Sequence, residues 1–201
     1  MVSAAHGSKG GYILGSIRPG CNGEAVARWV YDIAKRRSDA EFEYVDIKDC
    51  NLPLLDEPIP PSQGQYTKEH TKRWAAKVDS FDAFVFVTAE YNHGIPGALK
   101  NAIDFLYKEW NNKVAGFVGY VSAGGVRAVE QLRLVMAELQ IADVRAQVTL
   151  SLFTDFENFT KFKPAAYQQD YVNSMLDQVI AWAGALKPLR TKRPEYSIAA
   201  S

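Results

Sequence analysis

Hydrophobic residues along this chain form two kinds of pattern, short continuous runs and longer stretches with helical spacing. The continuous runs are "GYILG" (11–15), "FEYVDI" (42–47), "AFVFVTA" (83–89), "VAGFVGYVS" (114–122) and "VRAQVTL" (144–150). Runs of this length are typical of strands that are buried on both faces, as in a parallel sheet covered by helices on each side. The pattern therefore predicts an α/β protein.

The stretches between and after these runs have apolar residues at every third or fourth position, which is the spacing of a buried helical face. The first face contains Val26, Trp29, Val30 and Ile33, a later one contains Val129, Leu132, Met136 and Leu139, and the last contains Tyr171, Met175, Val179, Trp182 and Leu186. Another helix is predicted to begin near Pro96 and to include Leu99–Trp110. The proline-rich segment 51–65 is predicted to be a long surface loop.

Strands and helices that alternate in this way predict a doubly wound five-stranded parallel sheet. Two arrangements fit the alternation, the flavodoxin-like order 2-1-3-4-5 and one half of a dinucleotide-binding fold. In both arrangements the ligand binds outside the carboxyl ends of the strands, where the first loop lies. The 201 residues are predicted to form a single domain, with loose tails at residues 1–9 and 190–201.

Composition narrows the class of protein without naming a reaction. The 23 basic and 23 acidic side chains cancel, so the overall charge does not favour nucleic acid or a membrane surface as a partner. Two cysteines without metal-ligand spacing indicate a reducing compartment and no metal site. The first residues contain no long apolar segment, and no stretch reaches about 18 apolar residues. We therefore expect a cytoplasmic protein.

The loop after the first predicted strand, "GSIRPGCNGEA" (15–25), fails two familiar nucleotide-binding patterns. It starts like G-x-x-x-x-G-K-[ST], but Cys21 and Asn22 stand where the lysine and the hydroxyl residue belong. It does not fit G-x-G-x-x-G either, because Ile17 stands where the second glycine belongs. A P-loop nucleotidase and a dinucleotide fingerprint are both disfavoured.

A terminal monophosphate fits the same loop better. Ser16 can donate its hydroxyl, Arg18 its guanidinium and Asn22 its amide, and the next backbone N–H groups open a helix toward an anion. The alternative is a simple turn in which the glycines permit positive φ and Arg18 is a solvated surface charge.

Two further stretches follow the third and fourth predicted strands. "VTAEYNHGIPGALKNAIDFL" (87–106) contains a polar, turn-rich segment that leads into a helix. "GYVSAGGVRAVEQLR" (119–133) contains four small residues at 122–125, which allow the backbone to approach a flat ligand closely. In the order 2-1-3-4-5 these stretches lie beside the first loop.

Together the three stretches resemble the NAD(P)H-dependent FMN reductase family of flavodoxin-like quinone and flavin reductases. The resemblance is carried by Gly15-Ser16-Ile17-Arg18, by Glu90-Tyr91-Asn92 with Leu99-Lys100-Asn101-Ala102-Ile103-Asp104, and by the small residues from Ser122 to Gly125. "LYKEWNNK" (106–113) is similar to the fungal quinone reductases of this family, and the resemblance spans roughly residues 10–150. Two positions depart from the family pattern: Ala89 replaces a proline, and Cys21 replaces an arginine or a hydroxyl residue.

The resemblance implies FMN as the bound cofactor and NAD(P)H as the reductant. The residues implied to bind the phosphate are Ser16, Arg18, Asn22, Gly23, Glu24 and Ala25. One edge of the isoalloxazine ring would be lined by Ala89, Glu90, Tyr91 and Asn92. The other side of the ring would be lined by Ser122, Ala123, Gly124 and Gly125. Tyr91 is expected to contact the cofactor, and His93 to shape the mouth of the site rather than to transfer a proton. No residue is predicted to be catalytic, because the flavin carries the chemistry.

The implied reaction is a ping-pong transfer of a hydride from NAD(P)H, through FMN, to quinones, free flavin or similar flat acceptors. The alternative is a protein without enzymatic activity, either a flavodoxin-like electron carrier or a redox-sensing flavoprotein that binds a partner. The family also implies a homodimer or homotetramer. A surplus of large apolar residues in the predicted helix Leu99–Trp110 points to an exposed subunit contact.

Overall fold

The computed structural model describes residues 7–191, and its main sheet contains the five predicted strands. They are β1 (Lys9–Leu14), β2 (Glu41–Asp46), β3 (Ala83–Ala89), β4 (Val114–Tyr120) and β5 (Ala142–Leu150). All neighbouring pairs are parallel, and the strand order is β2-β1-β3-β4-β5. The flavodoxin-like order is therefore confirmed, and half of a dinucleotide-binding fold is excluded for this sheet.

Five helices cover the two faces of the sheet. They are α1 (Gly23–Ala34), α2 (Glu69–Asp79), α3 (Gly97–Asp104), α4 (Val126–Glu138) and α5 (Gln168–Thr191). Helices α1 and α5 enclose one apolar core, and α2, α3 and α4 enclose the other. Because both faces are covered, β3 and β4 are buried at every position, as their continuous apolar runs predict.

The connecting segments contain short elements that the hydrophobic pattern does not reveal. A small antiparallel hairpin of β6 (Phe156–Glu157) and β7 (Lys161–Phe162) lies between β5 and α5. The segment 51–65 is irregular apart from one turn of 3-10 helix at Pro61–Gln63, as expected of a surface loop. Residues 1–6 and 192–201 lie outside the described residues, whereas Lys9 and Arg190, within the predicted tails, belong to β1 and α5.

The buried face of α5 differs from the prediction. Tyr171 and Trp182 are 54% and 45% exposed, so their assignment to the core is wrong. The residues that pack inward are Val172, Met175, Leu176, Val179 and Ala183. The helix passes so close to the sheet that a Cβ on Gly116 of β4 would lie 2.9 Å from Val179 Cγ2. This close approach favours small and aliphatic side chains, and the large rings lie at the margins.

The apolar surplus predicted for Leu99–Trp110 is also absent. Helix α3 ends at Asp104, after which the chain makes successive turns that carry its large side chains inward. Leu99, Phe105, Leu106 and Trp110 are at most 1% exposed, and the Trp110 ring packs 4.8 Å from that of Phe84 between centroids. The reason given for an exposed subunit contact on this segment is therefore wrong, because the residues belong to the chain's own core.

Candidate functional site

Three loops meet at the carboxyl edge of the sheet, where β1, β3 and β4 end side by side. The Gly15 N–H donates to Val87 O at 2.9 Å, and Ala89 pairs with Tyr120 in the parallel register. A side-chain hydrogen bond of 3.0 Å joins Ser16 Oγ to Tyr91 Oη across two of the loops. The sheet thus brings together the three stretches that the sequence singles out.

The first loop ends at the N-terminus of α1, which has the properties of an anion site. Helix α1 begins at Gly23, and the Asn22 side chain makes no capping hydrogen bond. The N–H groups of the first turn have no partners within the helix, and their dipoles favour negative charge. Ser16 is only 3% exposed beside them, whereas Arg18 is exposed. A hydrogen bond to Tyr91 raises the pKa of Arg18, so the guanidinium stays charged.

A small cradle at the start of α1 allows a direct test of the fit of a phosphate group. A Cβ on Gly23 would collide with the Tyr120 hydroxyl and would lie 2.9 Å from Leu14 Cδ1. The Tyr120 hydroxyl is buried and finds no hydrogen-bond partner among residues 7–191. A buried polar atom of this kind, next to open helix N–H groups and an arginine, fits a monophosphate such as that of FMN.

The second loop, residues 90–94, follows β3 and forms a tight hairpin. Tyr91 and Gly94 exchange two backbone hydrogen bonds, Tyr91 N–H to Gly94 O at 2.9 Å and Gly94 N–H to Tyr91 O at 3.0 Å. Asn92 and His93 stand at its tip with φ of 50° and 66°, the left-handed pair that a two-residue hairpin requires. The turn closes without the proline that Ala89 replaces, and all three residues from Tyr91 to His93 are exposed.

Helix α4 braces this hairpin with two side chains. Glu90, whose side chain is 6% exposed, accepts hydrogen bonds from Arg127 Nε at 2.7 Å and from Arg127 N–H at 3.1 Å. The Glu90 carboxylate thus caps the N-terminus of α4, where negative charge is stabilised. Gln131 Nε2 donates to His93 O at 2.7 Å. The second loop and α4 therefore form one braced unit.

The third loop, from Val121 to Gly125, has an unusual backbone. Val121 and Ser122 have φ of 78° and 31°, and Gly124 and Gly125 follow with φ of 75° and 69°. A β-branched residue rarely adopts positive φ, and such a residue costs about 1–3 kcal/mol that the surroundings must offset. One brace is visible in Ser151 Oγ, which donates to Ser122 O at 2.9 Å. Strain of this kind is found at ligand-binding loops.

The predicted site residues take different positions around the three loops. Glu24 faces solvent and pairs with Arg28 at 2.8 Å, and Ala89 is buried with its side chain away from solvent. The Glu90 side chain is engaged by Arg127, so Ala89 and Glu90 present only backbone to the site. Asn22 and Cys21 are half-buried, and both Ala25 and Ala123 are exposed.

The sequence patterns did not predict four residues that shape the site, namely Tyr120, Arg127, Gln131 and Ser151. Tyr120 could have been found from the sequence, because a tyrosine, whose hydroxyl is polar, ends an otherwise apolar strand directly before the loop of small residues. The other three act through side-chain contacts across elements, which no local pattern encodes.

Residues 7–191 contain no group of three or more histidine, cysteine, aspartate or glutamate side chains that could hold a metal ion. Cys21 and Cys50 are both free thiols. No helix among the described residues is long and apolar enough to cross a membrane.

The fold and the site geometry define a flavodoxin-like protein with a candidate anion site at its first helix. A model of the NADPH-dependent FMN reductase family matches residues 9–155, and the chain belongs to this family. It is 41% identical over 153 residues to an NAD(P)H-dependent FMN reductase of a Nectria species, covering 71% of this chain and 76% of that protein. A quinone reductase of Pseudomonas putida is 30% identical over 184 residues, covering 85% and 91% of the two chains.

Among solved structures, the flavoenzyme FerB of Paracoccus denitrificans, an NAD(P)H:acceptor oxidoreductase, superimposes with a TM-score of 0.67. Its sequence is 19% identical, and the match covers 87% of this chain and 97% of that one, which supports the fold. The predicted family, the enzyme class, FMN as the cofactor and NAD(P)H as the reductant are thereby confirmed.

Proposed function

We propose that this oxidoreductase transfers a hydride from NAD(P)H through FMN to quinones, free flavin or similar flat acceptors by a ping-pong mechanism. The observation that carries the proposal is the anion cradle at Gly23 beside the braced hairpin 91–94 and the small-residue loop 122–125. A phosphate site next to a hairpin with an exposed aromatic ring, Tyr91, and to a loop of small residues suits a phosphorylated flat cofactor. The names of the quinone and FMN reductases that the chain resembles support the same acceptor class.

We assign the phosphate contacts to Ser16, Arg18, Asn22 and the first-turn amides of Gly23, Glu24 and Ala25. Arg18 supplies the charge-assisted contact, and Ser16 exchanges its present partner, Tyr91 Oη, for the phosphate. When bound, FMN supplies the redox chemistry by accepting a hydride and passing two electrons to the acceptor.

The ring end of the cofactor is assigned to the second and third loops. The backbone of residues 89–92 lines one edge, and that of Ser122 to Gly125 lines the other. Glu90 already occupies the N-terminus of α4, so backbone N–H groups of the third loop are the donors that stabilise negative charge on a reduced ring. His93 at the hairpin tip shapes the mouth of the site.

We also propose a cytoplasmic homodimer or homotetramer, with a contact surface different from the segment that the sequence suggested. Leu54 and Leu55 are 84% and 41% exposed, and Asn101 holds them beside α3 through hydrogen bonds with Pro53 O at 2.7 Å and Leu55 N–H at 2.9 Å. Adjacent exposed leucines on an anchored loop favour a subunit contact. A sedimentation mass of 22.4 kDa at micromolar concentration would refute this assembly.

The reaction is tested by spectroscopy under anaerobic conditions. The protein is loaded with FMN, freed of excess flavin and treated with NADPH or NADH. We expect the oxidised-flavin absorbance to bleach and then to return when a quinone is added. Parallel double-reciprocal lines at several quinone concentrations support the ping-pong order. Failure of NAD(P)H to bleach the bound flavin would instead favour the electron carrier.

The phosphate assignment is tested by comparing two ligands that differ only in the phosphate. A hydrogen bond to a charged group contributes about 1.5–3 kcal/mol, so Arg18→Ala should weaken FMN binding by roughly 10- to 150-fold. Ser16→Ala should weaken it less, because its contact comes from a neutral hydroxyl. Riboflavin should bind the wild type and Arg18→Ala equally. Equal losses for both flavins would make Arg18 a structural residue.

A further inference from the structure

The Tyr120 side chain combines deep burial with an unsatisfied polar end. It lies at the last position of β4, is 1% exposed and belongs to the core that α1 and α5 enclose. Its hydroxyl is buried and has no hydrogen-bond partner among residues 7–191. Buried hydroxyl groups are nearly always hydrogen-bonded, and an unpaired one destabilises the fold. The position of this hydroxyl therefore requires an explanation.

The hydroxyl points toward the start of α1. Its contact with Gly23 is so close that any Cβ there would collide with it, and Tyr120 Cζ would lie 3.0 Å from such a Cβ. Gly23 is the first residue of a helix of 12 residues, and its neighbour Asn22 contributes no side-chain cap. The Tyr120 hydroxyl thus lies against the first residue of α1, in the turn whose N–H groups have no partners within the helix.

The electrostatic surroundings of the hydroxyl belong to the same loop. Burial raises the pKa of Tyr120, and Cys21 and Tyr91 raise it further, whereas Ser16 and Arg18 lower it. These opposing neighbours leave the pKa above its ordinary value, so the hydroxyl keeps its proton throughout the physiological range. It is therefore available there as a donor, and an anionic acceptor would satisfy it.

We propose that Tyr120 is a phosphate-binding residue whose hydroxyl donates a hydrogen bond to the phosphate monoester held by Ser16, Arg18 and the N-terminus of α1. This inference rests on the proposed function for the identity of the ligand. It adds a donor from β4, beneath the loop, to donors that all come from the loop and α1. Tyr120 would then bind the cofactor without taking part in hydride transfer.

The test replaces Tyr120 with phenylalanine, which removes the hydroxyl and keeps the ring. FMN and riboflavin are titrated by flavin fluorescence against the wild type and Tyr120→Phe, and thermal unfolding is followed with added inorganic phosphate. We expect FMN affinity to fall about 10-fold, the lower bound for losing a hydrogen bond to a charged group. Riboflavin affinity should stay unchanged, and any stabilisation by inorganic phosphate should be smaller in the variant.

Tyr12→Phe is the matched control. Tyr12 lies in the same core, is 0% exposed and also has a buried hydroxyl without a partner among residues 7–191. It belongs to β1 rather than β4, however, and packs against Tyr31 of α1 and Phe42 of β2. This control should leave the affinity for both flavins unchanged. An equal loss of FMN affinity in Tyr12→Phe, an equal loss for FMN and riboflavin in Tyr120→Phe, or no loss at all would overturn the inference.

The phosphate measurement separates this inference from the proposed function. If the wild type binds neither flavin, the proposed function fails, and inorganic phosphate alone decides the role of Tyr120. Stabilisation of the wild type by phosphate that Tyr120→Phe lacks would still support an anion site containing this hydroxyl. Equal stabilisation of both proteins, or stabilisation of neither, would refute it.

Discussion

Gly23→Ala should destabilise this protein although alanine is the better helix former. In a helix interior, alanine is favoured over glycine by about 0.5–1 kcal/mol. At Gly23, however, the new methyl group would meet the Tyr120 hydroxyl, Leu14 Cδ1 at 2.9 Å and Tyr120 Cζ at 3.0 Å. Overpacking in a closed space typically costs about 1–3 kcal/mol, which equals or exceeds the gain in propensity. We therefore expect a net loss of up to about 2.5 kcal/mol in the free energy of unfolding, measured by urea denaturation.

Gly97→Ala is the matched control because Gly97 is also the first residue of its helix, α3. A Cβ at Gly97 would meet nothing within 4 Å, so the same substitution should be neutral or should stabilise the protein by up to about 1 kcal/mol. The Tyr120→Phe background supplies the second control. Removing the hydroxyl relieves the closest contact, and the cost of Gly23→Ala should fall by about 0.5 kcal/mol or more.

Equal stability of Gly23→Ala and Gly97→Ala would show that the space at the start of α1 is not closed. An unchanged cost of Gly23→Ala in the Tyr120→Phe background would show that the hydroxyl is not the obstacle; either result refutes the prediction. FMN affinity should fall in Gly23→Ala, because the helix start must shift to admit the methyl group, and should be unaltered in Gly97→Ala.

Three further predictions concern the surroundings of the site and the core. Glu90→Gln should lower stability by about 1 kcal/mol in urea denaturation, because it removes the charge that pairs with Arg127, whereas Arg127→Ala should cost less since the backbone cap remains. Leu106→Ala should cost about 2–5 kcal/mol because the side chain is buried within the chain, and a loss that varied with protein concentration would place Leu106 in a subunit contact instead. Burial opposes the ionisation of Glu57, but hydrogen bonds from the Thr67 and Lys68 N–H groups outweigh it and lower its pKa to about 2, so its contribution should be lost as the pH falls from about 4.5 to 2. Glu57→Gln should flatten the fall of stability across that range, and an unchanged pH profile would contradict the assignment.

The strand positions were predictable because the sheet is buried on both faces, whereas the alternation left the strand order open and the family resemblance implied it. Burial on both faces produces continuous apolar runs, and these runs mark β3 and β4 to within a few residues. The faces of single helices were less predictable. Along α5, the apolar residues allow two neighbouring stripes, and the choice between them depends on the close approach of Val179 to Gly116, a tertiary contact. The turns after Asp104 have a similar cause, because the core beneath α3 draws Phe105 and Trp110 inward.

The parts of the candidate site that need small residues or positive φ were predictable from the sequence. Glycines and small residues mark the third loop, and "YNHG" encodes the two left-handed positions of the hairpin. Contacts between loops were not predictable in this way. Glu90 reads as a ligand residue in its motif, yet its carboxylate is directed to Arg127, 37 positions further along the chain. Only the packing of α4 against the end of β3 determines that pairing.

These contacts indicate that side chains hold the loops in position and that backbone groups are left to contact the ring. Glu90, Gln131 and Ser151 each form a hydrogen bond to a neighbouring loop or helix, so each is used to hold a loop in position. The groups that then remain for a flat ring are mainly backbone amides and small residues. Backbone groups held in this way can bind and polarise a flavin ring without recognising the acceptor above it. Substitutions of the bracing residues should therefore lower the affinity for the flavin and should reduce activity with every acceptor by the same factor. The choice of acceptor should depend instead on exposed residues such as His93 and Tyr91. Comparing Gln131→Ala and His93→Ala across several quinones tests this division, and a change in quinone preference in Gln131→Ala alone would refute it.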